Sequence, residues 1–201
     1  IEDMKNKEVM ITMDAELTAS ITAMLNSNGV YMKDLVVKEH SFNVQDLINK
    51  KVDLMASYVS NEPIILEEKN IPYKIFHPKN YGFDFYDDIL FTSSEFIKQN
   101  PITTQNFYEA TIKGWEYAFK NKTEVAEIIF KKYNTQNKSL INLIKEAEAL
   151  EKLAINNDGK IGCLDEKKLE KMVDVFKVLG LIKEDLNFDS FIYEHNHHKK
   201  I

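Results

Sequence analysis

Tyr58, Asn61 and Glu62 lie within the six-residue run Tyr58-Val59-Ser60-Asn61-Glu62-Pro63. An aromatic ring can stack on a planar ligand, an amide can both donate and accept, and a carboxylate takes hydrogen bonds from amino groups. The run ends a β-rich stretch, and ligands of open parallel sheets bind beyond the carboxyl ends of the strands. The plain alternative is that Asn61 or Glu62 only caps the helix that Pro63 opens. Spacing alone leaves both standing.

A second candidate follows the first β-rich stretch, at Thr12-Met13-Asp14-Ala15-Glu16. A helix N-terminus after a strand favours anions through its free N–H groups, and phosphate-cradling versions are rich in glycine. This junction has no glycine and two carboxylates, Asp14 and Glu16. A ligand here is expected to be cationic or rich in donors rather than phosphate, nitrate or sulfonate. The alternative is capping by Asp14 with Glu16 as a dipole partner. A third candidate is Tyr81-Gly82-Phe83-Asp84-Phe85-Tyr86-Asp87-Asp88, where Phe85 and its aromatic neighbours either line a cleft or cover the core.

Weaker signals fall away on their chemistry. Asn156-Asn157-Asp158-Gly159 would place Ala154 at the first position of a calcium loop, so a turn is expected. His195, His197 and His198 sit in a polar tail beside Lys199 and Lys200. Cys163 has no histidine at a fixed spacing, and His40 and His77 stand in unremarkable contexts. No metal site and no cofactor is expected. Nucleophile elbow, Walker loop, HExxH and dinucleotide patterns are missing, and nothing argues for catalysis.

The elements that must position these residues alternate. Strands are predicted over Glu8–Met13, Leu35–Glu39, Val52–Tyr58, Ile71–Phe76 and Ile89–Thr92. Asp14 is read as the N-cap of a helix with the face Leu17, Ile21, Met24 and Leu25, closed by Gly29. A short helix carries Val44, Leu47 and Ile48. This alternation implies a parallel sheet covered by helices. From the capping-box sequence Thr92-Ser93-Ser94-Glu95 onward the pattern is helical. Its faces are Phe107, Ile112, Trp115, Ala118 and Phe119, then Val125, Ile128, Ile129 and Tyr133, then Leu140 to Leu153, then Leu169 to Leu179 with Gly180 as the stop. The expected division is an α/β lobe over 4–92, a helical part over 93–193 and a tail or linker over 194–201.

Composition closes off other classes. The 201 residues carry 26 basic side chains, all lysine, against 32 acidic ones, for a net charge of -6. Without arginine the chain lacks the bidentate fork suited to phosphate and guanine, which argues against nucleic acid as a partner. A single cysteine excludes an intrachain disulfide. No apolar run approaches the roughly 20 residues that span a bilayer.

Several runs in order carry a family resemblance: Lys51 to Pro63, Ile71-Pro72-Tyr73, Tyr81 to Thr92, Gly114-Trp115-Glu116-Tyr117-Ala118, Lys132-Tyr133-Asn134, Glu146 to Leu150 and Leu179-Gly180-Leu181-Ile182. Together they resemble periplasmic substrate-binding proteins of the thiamine-pyrimidine-precursor group, within the wider nitrate, sulfonate and taurine type. The resemblance spans about Met4 to Tyr193. It implies a periplasmic-binding-protein-like α/β fold with one parallel or mixed sheet lobe and a helical C-terminal half. It also implies that Asn61 and Glu62, with Tyr58 beside them, reach a small-molecule ligand from the second lobe. The glycine-rich loop of the family is replaced by Asp14-Ala15-Glu16-Leu17-Thr18, so ligand identity does not carry over.

The implied function is an extracytoplasmic solute-binding domain, not an enzyme, for a pyrimidine-like thiamine precursor. It would serve the subunits of an ABC transporter or the sensor region of a membrane signalling protein, to which the tail from Phe191 would lead. An enzyme of the pyrimidine-precursor synthase type and a degenerate interaction lobe are the alternatives. In the family the chain would begin partway in, at the strand opening the second lobe. The expectation is therefore either a piece of a longer protein or a chain whose apolar face is covered by a partner or by self-association.

Overall fold

Glu8–Met10 forms the central strand, β1, because Val9 and Met10 are buried on its two faces. Val36–Lys38 (β2) and Leu54–Met55 (β3) pair with it in parallel, in the order β2-β1-β3. The register sets Val9 opposite Val37 and Leu54. The structure is a computed structural model that describes residues 1–15, 18–156, 158–184 and 186–193. The tail over 194–201, with its three histidines, lies outside the described residues, as do Glu16 and Leu17.

The α/β class with its parallel sheet is as the sequence implies, but the sheet is smaller. Ile71–Phe76 and Ile89–Thr92 form no strand. Pro72 lacks an N–H for a ladder, and Tyr73, Ile75, Leu90 and Phe91 are exposed, with no strand beside either run among the described residues. Side chains of high β-propensity do not make a strand without a partner.

The first helix also starts later than expected. It spans Ala19–Ser27 (α1) with Thr18, not Asp14, as its N-cap. The Thr18 N–H and hydroxyl both donate to the Asp14 carbonyl, at 3.2 and 2.8 Å, forming a turn ahead of the helix. Gly29 follows the helix at φ +69°, a conformation that side chains resist. The short helix Val44–Ile48 (α2) is capped by Asn43, whose side chain accepts from the Gln45 N–H. Glu62–Glu68 (α3) has Pro63 in its first turn.

The remaining helices are Ser94–Gln99 (α4), Pro101–Lys120 (α5), Lys122–Lys132 (α6), Leu140–Ala154 (α7), Glu166–Val178 (α8) and Phe188–Phe191 (α9). The N-cap of α4 is Ser93, which accepts from the Phe96 N–H, so Glu95 is the second helical residue and the expected box is a single cap. Asn156 organises the turn before Gly159, its side-chain oxygen accepting from the Asp158 and Lys160 N–H groups.

The chain divides into two compact units. Unit 1 is Ile1–Tyr86 with Asp165–Leu186, and unit 2 is Asp87–Leu164 with the residues from Asn187 on. Helix α8 thus belongs with the sheet, where it packs near α1, rather than with the other helices. The core of unit 1 gathers Met4, Val9, Ile11, Leu25, Val30 and Leu35. Unit 2 is built from α4 to α7, with α6 packed along α7.

Candidate functional site

Because all three strands run the same way, their carboxyl ends share one edge of unit 1. From β1 the chain goes to β2 on one side and then crosses to β3 on the other. That reversal at β1 is the switch point where open α/β sheets bind ligands. Three loops rise from this edge: one beginning at 11–15 after β1, 39–43 after β2 and 56–61 after β3.

The third loop brings Tyr58, Asn61 and Glu62 together. The Glu62 Oε2 accepts from the Tyr58 backbone N–H at 3.1 Å, and its Oε1 accepts from the Asn61 Nδ2 at 3.0 Å. The Asn61 N–H in turn donates to the Tyr58 carbonyl at 3.0 Å. Glu62 keeps only 9% of its surface exposed, and no lysine lies within ion-pair distance of it among the described residues. A buried carboxylate that holds two neutral donors and no counter-charge is an acceptor suited to a charged or amino donor.

The capping alternative fails for Asn61. It occupies the N-cap position of α3, but its side chain makes no cap hydrogen bond. Its Oδ1 is buried and without a partner instead. Leaving such an acceptor unpaired costs about 1–3 kcal/mol, which a ligand donor or water would recover. The bracket of bonds around Glu62 fixes the backbone of Tyr58, while the residue stays 58% exposed. This is a stiff carboxylate-amide pair with an accessible aromatic beside it.

The other candidates are placed differently. Asp14 is exposed in the loop after β1, with its carbonyl engaged by Thr18. Glu16 lies outside the described residues. Phe85 packs edge-on against Phe176 of α8, at 5.8 Å between centroids and 75° between planes. Tyr86 binds the same helix: its hydroxyl accepts from the Asp165 N–H at 2.9 Å, and Lys168 Nζ stands 4.1 Å from its ring centroid. Lys168 also pairs with Asp84 at 3.1 Å. The aromatic run is thus tied to α8, and the structure brings neither Phe85 nor Asp14 into the Glu62 bracket.

Sequence reasoning passed over His40. Its Nδ1 accepts the Phe42 N–H at 2.9 Å, so Nε2 carries the proton and donates to the Ala56 carbonyl at 2.7 Å. The ring spans from the loop after β2 to the loop after β3, across the end of β1. Its position two residues beyond β2 was the available signal. Among the described residues no group of His, Cys, Asp and Glu could hold a metal ion, and no helix is long and apolar enough to cross a membrane.

Comparison with known proteins gives the family and the fold. A family model described as NMT1/THI5 like matches residues 1–125. A formylaminopyrimidine-binding protein from Halalkalibacterium halodurans is 24% identical over 124 residues, covering 60% of this chain and 37% of that protein. Among solved structures, a putative sulfonate ABC transporter's periplasmic sulfonate-binding protein, SsuA from Methylobacillus flagellatus, superposes with a TM-score of 0.60 at 17% identity. That match covers 94% of this chain and 57% of the other. The chain therefore spans little more than a third to a little over half of the length of these relatives. The fold is that of a periplasmic binding protein.

Proposed function

The chain belongs to the NMT1/THI5-like family, and from that premise we propose that it is a solute-binding module for a small, planar, nitrogen-rich molecule of the aminopyrimidine class. The observation that carries this reading is Glu62, a buried carboxylate bracketed by the Tyr58 N–H and the Asn61 amide, with no lysine in ion-pair distance among the described residues. An exocyclic amino group or a protonated ring nitrogen would donate to that carboxylate. The Tyr58 ring would stack on the heterocycle, and the unpartnered Asn61 Oδ1 would take a second donor.

The binding protein from Halalkalibacterium halodurans is named for a ligand of this kind. The sulfonate named for the solved relative fits this edge poorly. Asp14 and Glu62 repel an anion, and the chain has no arginine to hold one. Binding rather than catalysis is the role these groups support. The setting we propose is extracytoplasmic, feeding an ABC transporter or informing a membrane sensor. In that reading residues 4–92, together with α8, act as the second lobe, and the other helices within 93–193 form the part completing the first.

Calorimetry on the full chain with formylaminopyrimidine and with 4-amino-2-methylpyrimidine tests the proposal, with taurine as the anionic comparator. Micromolar affinity for the pyrimidines and none for taurine is the expected result. Glu62→Gln keeps the shape and removes the charge, and should weaken binding about tenfold or more, since a hydrogen bond to a charged group is worth about 1.5–3 kcal/mol. Affinity unchanged in that variant, or selective binding of taurine, would overturn the site.

A further inference from the structure

We propose that Phe42 is a ligand contact of the same edge, an aromatic wall held out by His40 on the opposite side of β1 from Tyr58. The inference rests on the binding role proposed above and adds a residue from a different strand.

Phe42 is 80% exposed and adopts φ +56°. Among the described residues the other non-glycine positions with positive φ are Asn6, Lys50, Asn70 and Asn137. Asparagine tolerates this conformation through its short polar side chain, whereas a bulky aromatic is an outlier there. Strain of this kind persists only where the surroundings over-determine it, and it gathers at ligand clamps.

The surroundings here do over-determine it. The Phe42 N–H is taken by His40 Nδ1, and the other end of that imidazole is fixed to the Ala56 carbonyl. Ser41 donates its N–H toward the Met10 sulfur at the end of β1, at 3.3 Å, and its hydroxyl to an Asp46 carboxylate oxygen at 2.7 Å, with the Oγ 3.2 Å from the same sulfur. His40, Ser41 and Asn43 are thus anchored through their side chains, while that of Phe42 stays exposed. Its ring lies against His40, 4.5 Å between centroids and 32° between planes, so one face is supported and the other is open.

A strained backbone that spends its hydrogen bonds to present an exposed apolar ring gains nothing for the core. It does gain a pre-organised stacking surface, which lowers the ordering cost of binding a flat ligand. Because His40 ties this loop to Ala56, two residues before Tyr58, the two aromatics rise from the same edge on loops that are coupled to each other.

Calorimetry on the full chain with 4-amino-2-methylpyrimidine, paired with urea unfolding, tests this on Phe42→Ala, Phe42→Gly and Phe42→Trp beside Glu62→Gln. Removing a stacked ring should cost about tenfold in affinity in the Ala and Gly variants, while Phe42→Trp stays within about threefold. Glycine accepts the positive φ, so the unfolding midpoint of Phe42→Gly should not fall below the parent's. Affinity unchanged in both truncations while Glu62→Gln loses it would overturn the role of Phe42 and leave the binding site standing. A fall in stability of Phe42→Gly with affinity intact would make Phe42 a packing residue and overturn the inference too. No binding by the parent chain would overturn the aminopyrimidine reading itself, and this inference with it.

Discussion

Units 1 and 2 are built on opposite terms. Unit 1 gathers Leu25 of α1 with Val9 of β1 in one core and buries Met10, Ile11 and Val30 almost completely. Unit 2 has longer helices and more ordinary amphipathic faces. Of the buried apolar residues among those described, only Phe119, Ala126 and Leu143 belong to it. Phe107 and Trp115 on α5, Phe130 on α6, and Ile141 and Leu153 on α7 are exposed. Helical periodicity shows which face of a helix is apolar, but not what covers that face. The central strand needs no such inference, because β2 and β3 flank it on both sides. Unit 1 thus holds most of the buried apolar residues among those described, whereas the helices of unit 2 leave much of their apolar faces exposed.

The largest effect that would break this comparison is in the cores. Ile11→Ala, at a residue 1% exposed, should destabilise unit 1 by about 2–5 kcal/mol. Phe107→Ala on α5 should change stability by no more than about 0.5 kcal/mol. Urea unfolding of the full chain provides the test, since Trp115 is the single tryptophan and lies in unit 2. Its fluorescence should change at lower urea than the far-ultraviolet circular dichroism. Coincident transitions, or a Phe107→Ala cost above about 2 kcal/mol, would mean that the face of α5 is covered in solution.

A sharper contrast comes from two buried amide oxygens, one in each unit. Asn61 Oδ1 and Asn142 Oδ1 are both buried without a partner. Asn142 sits 1% exposed within α7, where its backbone N–H is already satisfied by Ser139 Oγ. Replacing its side chain with an isosteric apolar group removes an unpaired acceptor at little packing cost. Asn142→Leu should therefore stabilise by about 1 kcal/mol. Asn61→Leu removes a similar orphan but also strips the amide from Glu62, leaving a buried carboxylate with one donor. It should destabilise by about 1–3 kcal/mol. Chemical unfolding of both variants reads the difference in sign. Equal signs would mean that the two orphans serve the same purpose.

What the sequence made legible follows the same divide. Strand positions were readable at Val9, Val36 and Leu54, where β-branched or apolar residues alternate, and helix ends were readable at Gly29 and Gly180, both at positive φ. The strands over 71–76 and 89–92 were not, because pairing is a property of two segments and sequence pattern describes one. At the site, Tyr58, Asn61 and Glu62 were legible through their crowding at the end of a strand. That Asn61 leaves the cap unmade, and that Glu62 turns back to the Tyr58 N–H, depends on backbone geometry that spacing does not encode. The link between His40 and Ala56 was invisible for the same reason, as it joins residues 16 apart across a central strand.

The smallest expected effect sets two neighbouring aspartates on either side of the boundary against each other. Burial pushes the Asp84 carboxyl of unit 1 up, but the ammonium groups of Lys168 and Lys79, at 3.1 and 3.2 Å, together outweigh it and hold the group below the usual range. Asp87 of unit 2 is raised, first by burial and then by the charge of Asp88. A depressed carboxyl adds stability that is present above the unfolded value of about 4 and is lost as pH falls through the folded value. A raised carboxyl adds stability below about pH 4 that is lost as pH rises through its folded value. Asp84→Asn should therefore cost stability at pH 7, by less than about 1 kcal/mol because the pair is partly solvated, and the cost should vanish toward pH 3. Asp87→Asn should do the reverse, with a small gain at pH 7 that also fades toward pH 3. Urea midpoints between pH 3 and 7 separate the two. Parallel pH profiles would show that the lysines do not govern Asp84, and that the loop at residues 84–87 responds to acid as one group.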